Sequence, residues 1–205
     1  LNMKEKLLAQ AKMIIYGVFP LKIANKVIEE GRYVHQVFGG FIIGKLLDSL
    51  IIGLICFVLL GFANMPYVLL VSVIVGVTNV IPFFGPFIGA IPSAFLILLS
   101  DPMKCLYFLI FVLLLQQFDG NILGPKILGD STGLSSFWVL FSILLFGGLM
   151  GFVGMIIGVP TFAVIYRLVT EFTTWRLGKK ALSGNLNEYD RLNYIDETEQ
   201  TYIKK

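Results

Sequence analysis

The chain has 205 residues, of which 57% are hydrophobic and only 14% charged, against about 25% charged in ordinary soluble domains. With a mean hydropathy of +0.84, this composition excludes a typical water-soluble domain and indicates an all-α integral membrane protein that has lipid as its main partner. The formal net charge of +3 is too small, and the basic residues too little interleaved with aromatics, for a nucleic-acid binder.

Residues 1–36 mix Lys4, Lys6, Lys12, Lys22, Lys26 and Arg32 with Glu5, Glu29 and Glu30. Leu7, Leu8, Ala11, Ile14 and Ile15 recur at helical spacing. This predicts an amphipathic helix ended by Pro20, then a second helix over residues 22–30, in water or on the membrane surface. The start at Leu1, with no signal-peptide pattern, suggests processing or a fragment of a longer protein. A first span is predicted over residues 38–63. Lys45 and Asp48 lie in it three apart, on one helical face where they can pair, and Lys45 could also snorkel to the interface. Asn64-Met65-Pro66 reads as a turn.

Residues 49–100 contain no charged side chain. A hydrocarbon core about 30 Å thick is crossed by roughly 20 apolar residues, so the run is long enough for two spans. Pro82, Pro86, Pro92, Gly85 and Gly89 interrupt it. The expected elements are a helix over 67–79, a break over 79–92 and a second arm over 90–100. Each arm is short for a span, which predicts a broken helix or a hairpin. Backbone groups freed at membrane depth must be buried in protein or line a watery cavity. Asn79, Pro82, Gly85 and Pro86 are therefore candidate pathway residues.

A charge-free helix is predicted over 105–118, flanked by Lys104 and Asp119. A second irregular segment, 119–133, follows and gathers Asp119, Asn121, Lys126 and Asp130 just after Gln116 and Gln117. Its Gly124-Pro125-Lys126-Ile127 echoes Gly85-Pro86-Phe87-Ile88. Paired Gly/Pro interruptions point to a transport site at a repeat interface; the plainer alternative is two unrelated turns. Residues 134–166 again lack charge. As one helix they would be about 50 Å long, so they are expected to form two spans turning near residues 147–151. Gly147, Gly151, Gly154 and Gly158 suit close helix packing. Arg167, Arg176, Lys179 and Lys180 predict a cytoplasmic C-terminus. The expected organisation is a helical segment over 1–36, a polytopic transmembrane domain over 37–172 and a polar tail over 173–205.

No nucleophile–base arrangement or nucleotide loop is present, so no enzyme is expected. Cys56 and Cys105 sit in apolar runs and read as packing residues. His35 has no partner at metal-ligand spacing, and neither metal nor cofactor is expected. Ionisable residues inside spans are functional candidates by default, which singles out Asp48 and Asp119. Asp119, with Asn121 and Lys126 nearby, could bind a cation, take a proton or cap a helix; Asp130 reads as a cap.

Residues 79–92, then Gln116-Gln117-Phe118-Asp119-Gly120-Asn121 leading to Pro125-Lys126, Gly133-Leu134 and the glycine-rich stretch 147–160 together resemble the AI-2E family transporters. The similarity covers most of residues 37–172. It implies a multi-pass, oligomeric secondary transporter of the bacterial inner membrane that moves a small polar solute, with export of the quorum-sensing signal autoinducer-2 as the best-known case. Sodium/proton antiport, with Asp119 and Asp48 titrating, is the alternative within the family; a non-transporting membrane scaffold is the alternative outside it. The path would be lined by Asp48, Asn79, Pro82, Gly85, Pro86, Gln116, Asp119, Asn121, Gly124, Pro125 and Lys126. Family members usually have Glu where this chain has Asp119. They are usually also longer, so the chain corresponds to their C-terminal portion.

Overall fold

The computed structural model describes residues 2–128, 132–196 and 202–204. It divides into two units, Leu1–Ala163 and Val164–Lys205. The first begins with helix α1 (Asn2–Val18), and Pro20 then caps the 42-residue helix α2 (Leu21–Phe62). The second amphipathic helix and the first span, expected as separate elements, are thus one helix. Between Leu21 and Phe62 there is no proline, and an internal glycine costs only about 1 kcal/mol against alanine, so Gly31, Gly39 and Gly40 do not stop it. Three stretches among the described residues are long and apolar enough to cross a membrane, namely Leu21–Phe62, Pro102–Ile127 and Ser136–Lys179. Two shorter apolar helices, α3 (Val68–Thr78) and α4 (Gly85–Ser100), lie between the first two.

These two short helices fold back on one another as a hairpin. A Cβ on Gly85 would overlap the Thr78 carbonyl, and one on Gly89 would meet the Thr78 side chain and lie 3.1 Å from the Val75 Cα. Only glycine permits that approach. The first arm also crosses α2 closely, since a Cβ on Gly76 would sit 3.0 Å from the Gly53 Cα. The second arm starts at Gly85 rather than Ala90. Pro86 falls in the first turn, where its missing N–H costs nothing, and Pro92 is carried inside the helix. The non-helical break is therefore confined to residues 79–84, with Phe83 held at φ 64.

Asp101 caps helix α5 (Pro102–Phe118) by accepting from the Met103 and Lys104 N–H groups at 2.9 and 3.2 Å. The segment after it corrects the expectation of an irregular stretch over residues 119–128; residues 132 and 133 are non-helical, as expected. The chain continues as a π-helical turn (Asp119–Leu123) and a short helix α6 (Gly124–Leu128). Pro125 cannot follow a regular α-turn without its ring striking the carbonyl four residues back. The wider turn, in which the Gly124 N–H bonds to the Asp119 carbonyl, relieves that conflict. Asp130, read as a cap, lies outside the described residues.

Helix α7 (Ser136–Lys179) reverses at Gly151, whose φ of 62 and ψ of −141 leave helical space. The two arms pair antiparallel, as expected from the length of the apolar run. Trp138 stacks on Phe162 with ring centroids 5.3 Å apart, and a Cβ on Gly158 would lie 3.0 Å from the Ser142 carbonyl. At Gly154 a Cβ would overlap the Phe146 carbonyl, whereas at Gly148 it meets nothing. Gly154→Val is therefore expected to destabilise the detergent-solubilised protein by about 1–3 kcal/mol or more, the usual cost of overpacking. Gly148→Ala should leave the unfolding midpoint unchanged or slightly raised. Equal midpoints for the two variants would show that the arms do not depend on this contact.

Leu46, Leu50 and Leu54 on α2, and Leu106, Ile110 and Leu113 on α5, are exposed. Such apolar outer faces suit lipid rather than water. In the second unit the last part of α7 carries Trp175 under the Lys179 ammonium, 3.9 Å from the ring centroid. The polar tail then forms a short helix α8 (Leu186–Tyr189) and two antiparallel strands, β1 (Leu192–Ile195) and β2 (Tyr202–Lys204). Tyr202 accepts the Ser183 N–H at 2.7 Å and contacts Tyr189 edge-on.

Candidate functional site

The periodicity of α2 places two charged side chains on its inner face. Phe41, Lys45, Asp48, Ile52 and Cys56 are all buried, at spacings of four, three, four and four, which trace one helical stripe. The Lys45 ammonium donates to Asp48 Oδ2 at 2.6 Å. The pair is enclosed, with 8% and 0% of the side chains exposed, so Lys45 does not snorkel to the interface as the sequence allowed.

Helix α3 ends at Asn79, which is 2% exposed and caps the helix through its own N–H bond to the Val75 carbonyl at 3.0 Å. Its side-chain Nδ2 lies 3.2 Å from Asp48 Oδ2 and 3.4 Å from Asp119 Oδ2. Asp119 reaches this point by the same logic as Asp48. Cys105, Phe108, Val112 and Leu115 form the buried stripe of α5, and Asp119 is the next residue on it. One amide thus joins two acids from helices far apart in sequence. Asp48 Oδ1 and Asp119 Oδ1 have no hydrogen-bond partner among the described residues.

The quartet adjoins a cavity of about 600 Å³. Lys45, Asn79, Gln116 and Asp119 supply its polar wall, Phe41, Phe83 and Phe87 its aromatic wall, and Val139 and Val159 from the α7 hairpin close another side. Pro82, Pro86, Gly120, Gly124, Pro125 and Thr132 also line it. Packing of Phe41 with Ile143 and Val159, joined by Phe84 and Leu134, anchors the hairpin on α2 and on the 79–84 turn.

Of the residues expected to line a path, Asn79, Pro82, Pro86, Gln116, Asp119, Gly124 and Pro125 do border the cavity, and Asp48 is tied to it through Asn79 and Lys45. Gly85 serves the hairpin's close approach instead. Asn121 is exposed and bonds back to Gln117, at 2.8 Å to the carbonyl and 3.0 Å to the side chain. Lys126 is also exposed and is not the counter-charge of Asp119; the ammonium on the cavity wall is that of Lys45. The extra residue in the π turn explains this. A regular helix would carry Lys126, seven residues on, round to the face of Asp119, and the wider turn rotates it away. The three cavity phenylalanines and Lys45 were missing from the sequence-based set. Lys45 and Phe41 were recoverable from the stripe that includes Asp48; Phe83 and Phe87 had no signal beyond their place beside the prolines.

The family described as AI-2E family transporter matches residues 7–174. A Bacillus subtilis protein, YrrI, is 39% identical over 145 residues, which cover 71% of this chain and 41% of YrrI. The AI-2 transport protein TqsA of Escherichia coli is 30% identical over 149 residues, 72% of this chain and 43% of TqsA. A Borreliella burgdorferi protein aligns over 92% of this chain at 25% identity, and 53% of that relative is covered. The chain thus spans about half the length, or less, of these relatives. No solved structure matches it.

Proposed function

The chain belongs to the AI-2E transporter family, and from that membership we propose that the cavity between α2, α3, α5 and the α7 hairpin is part of a path for a small polar organic solute. The observation that carries the reading is the coincidence of the cavity with the Lys45–Asp48–Asn79–Asp119 network. Ionisable groups buried at membrane depth are costly and mark solute and ion paths. Broken helices beside a cavity are the usual architecture of such sites. A scaffold with two packing turns would need neither the charges nor the space. Sodium/proton antiport would need only an ion-sized site, whereas about 600 Å³ lies in the range of small-molecule pockets. AI-2, which gives the Escherichia coli relative its name, is the first solute to assay. The setting is a bacterial inner membrane. Arg167, Arg176, Lys179 and Lys180 favour a cytoplasmic C-terminus.

The test is cysteine accessibility in the full-length protein, in a background lacking Cys56 and Cys105. A cysteine replacing Phe87 or Gln116 should react with a small, water-soluble thiol reagent and lose transport when modified. A cysteine at Ile97, fully buried in the helix core, should not react. Unreactive cysteines at both cavity positions, or full transport after modification, would remove the cavity from the path.

A further inference from the structure

We infer that the cavity recognises an organic monocation, a solute with one ammonium-type group and an apolar surround. The inference rests on the path proposed above and names the class of solute it would take. The groups facing the site are Lys45 and Asp48 from α2, Asn79 from α3, and Gln116 and Asp119 from α5 and the π turn; Lys126 on α6 is exposed, and Val139 and Val159 from α7 are apolar. Among the described residues this gives two carboxylates against one ammonium. The Lys45 ammonium is bonded to Asp48 at 2.6 Å, which leaves the Asp119 carboxylate without a directly bonded cation among the described residues. An unpaired carboxylate away from water is costly, and a bound cation relieves that cost.

Three observations make the missing charge an organic one. Among the described residues Asp119 Oδ1 and the fully buried Asp48 Oδ1 have no hydrogen-bond partner, so acceptor positions remain open at the network. The space beside them, about 600 Å³, far exceeds a bare ion. Phe41, Phe83 and Phe87 line the same cavity, and aromatic rings attract ammonium groups, quaternary ones most familiarly. Phe83 lines the wall from a left-handed backbone conformation, φ 64, which a bulky residue adopts only when its surroundings enforce it.

At the start of α4, where a helix N-terminus usually favours negative charge, few N–H groups are left to bind an anion. The Gly85 and Ile88 N–H groups are already bonded to the Ile81 and Phe84 carbonyls at 2.9 Å each, and Pro86 has no N–H to offer.

Choline and its neutral carbon isostere, dimethylbutanol, separate charge from shape. Titration calorimetry on the purified full-length protein should show choline binding at least about tenfold more tightly than the isostere, a difference of the size expected for a desolvated cation on aromatic and carboxylate groups. Asp119→Asn should erase the preference and Asp119→Glu should keep it. Phe83→Leu, which leaves every charge in place, should weaken choline severalfold and the isostere little. Equal affinity for the two probes, failure of choline to bind, or a choline preference that survives Asp119→Asn would overturn the inference. So would displacement of choline by sodium at equal concentration, which would put an alkali ion in the site. Cavity cysteines that react and block transport while choline fails to bind would leave the path standing and remove only the cationic solute.

Discussion

Asp119→Asn in the full-length protein is expected to lower the initial rate of transport by about 10- to 100-fold while the amount of folded, membrane-inserted protein stays near normal. The size follows from the bond that is lost. A hydrogen bond to a charged group contributes about 1.5–3 kcal/mol, and each 1.4 kcal/mol is about tenfold. Protein yield should hold because Asn keeps the size of Asp and can still meet Asn79, which lies 3.4 Å from Asp119 Oδ2. The substitution also removes the one carboxylate that Lys45 does not pair with directly, so the buried network loses charge rather than gaining an orphan. Asp119→Glu should retain transport, in keeping with the Glu usual at this place among the transporters the sequence resembles. Measuring uptake and efflux in proteoliposomes with matched protein content separates rate from abundance. Undiminished transport by Asp119→Asn would return the residue to a helix-end role.

The parts of this fold that were legible in the sequence are those governed by one-dimensional rules. The length of the charge-free run over residues 134–166 requires two spans, and Gly151 is where the chain turns. The three-apart spacing of Lys45 and Asp48 predicts their pairing, and the pair forms. What the sequence concealed depended on register. Pro125 and Gly124 read as a helix break because a proline inside a helix normally is one. The chain instead inserts one residue and continues, and that extra residue decides which side chains face the cavity. Lys126, the nearest cation in sequence, is turned out, and Lys45, 74 positions before Asp119, takes its place. No local pattern reports such a choice, because the carboxylates of α2 and α5 are joined through Asn79, at the end of a third helix.

The same dependence of the network on long-range pairing makes Asp48 its weakest point. Asp48→Asn is expected to destabilise the protein by about 3–5 kcal/mol, the cost of leaving one member of a buried ion pair without its partner. The Lys45 side chain is only 8% exposed, so without Asp48 its ammonium loses its bonded carboxylate while staying largely buried. Adding Lys45→Met to Asp48→Asn should recover most of the loss, since replacing both charges of a buried pair is often neutral or stabilising. Unfolding of detergent-solubilised single and double variants, followed by circular dichroism through a denaturant series, measures both steps. A single variant as stable as wild type would mean that water reaches Lys45 through the cavity. A double variant no better than the single would mean that the cost lies in the Asn79 contact rather than in the charge. The double variant also isolates Asp119. It leaves that carboxylate as the network's only charge, so a choline preference greater than that of the parent protein should accompany the restored stability.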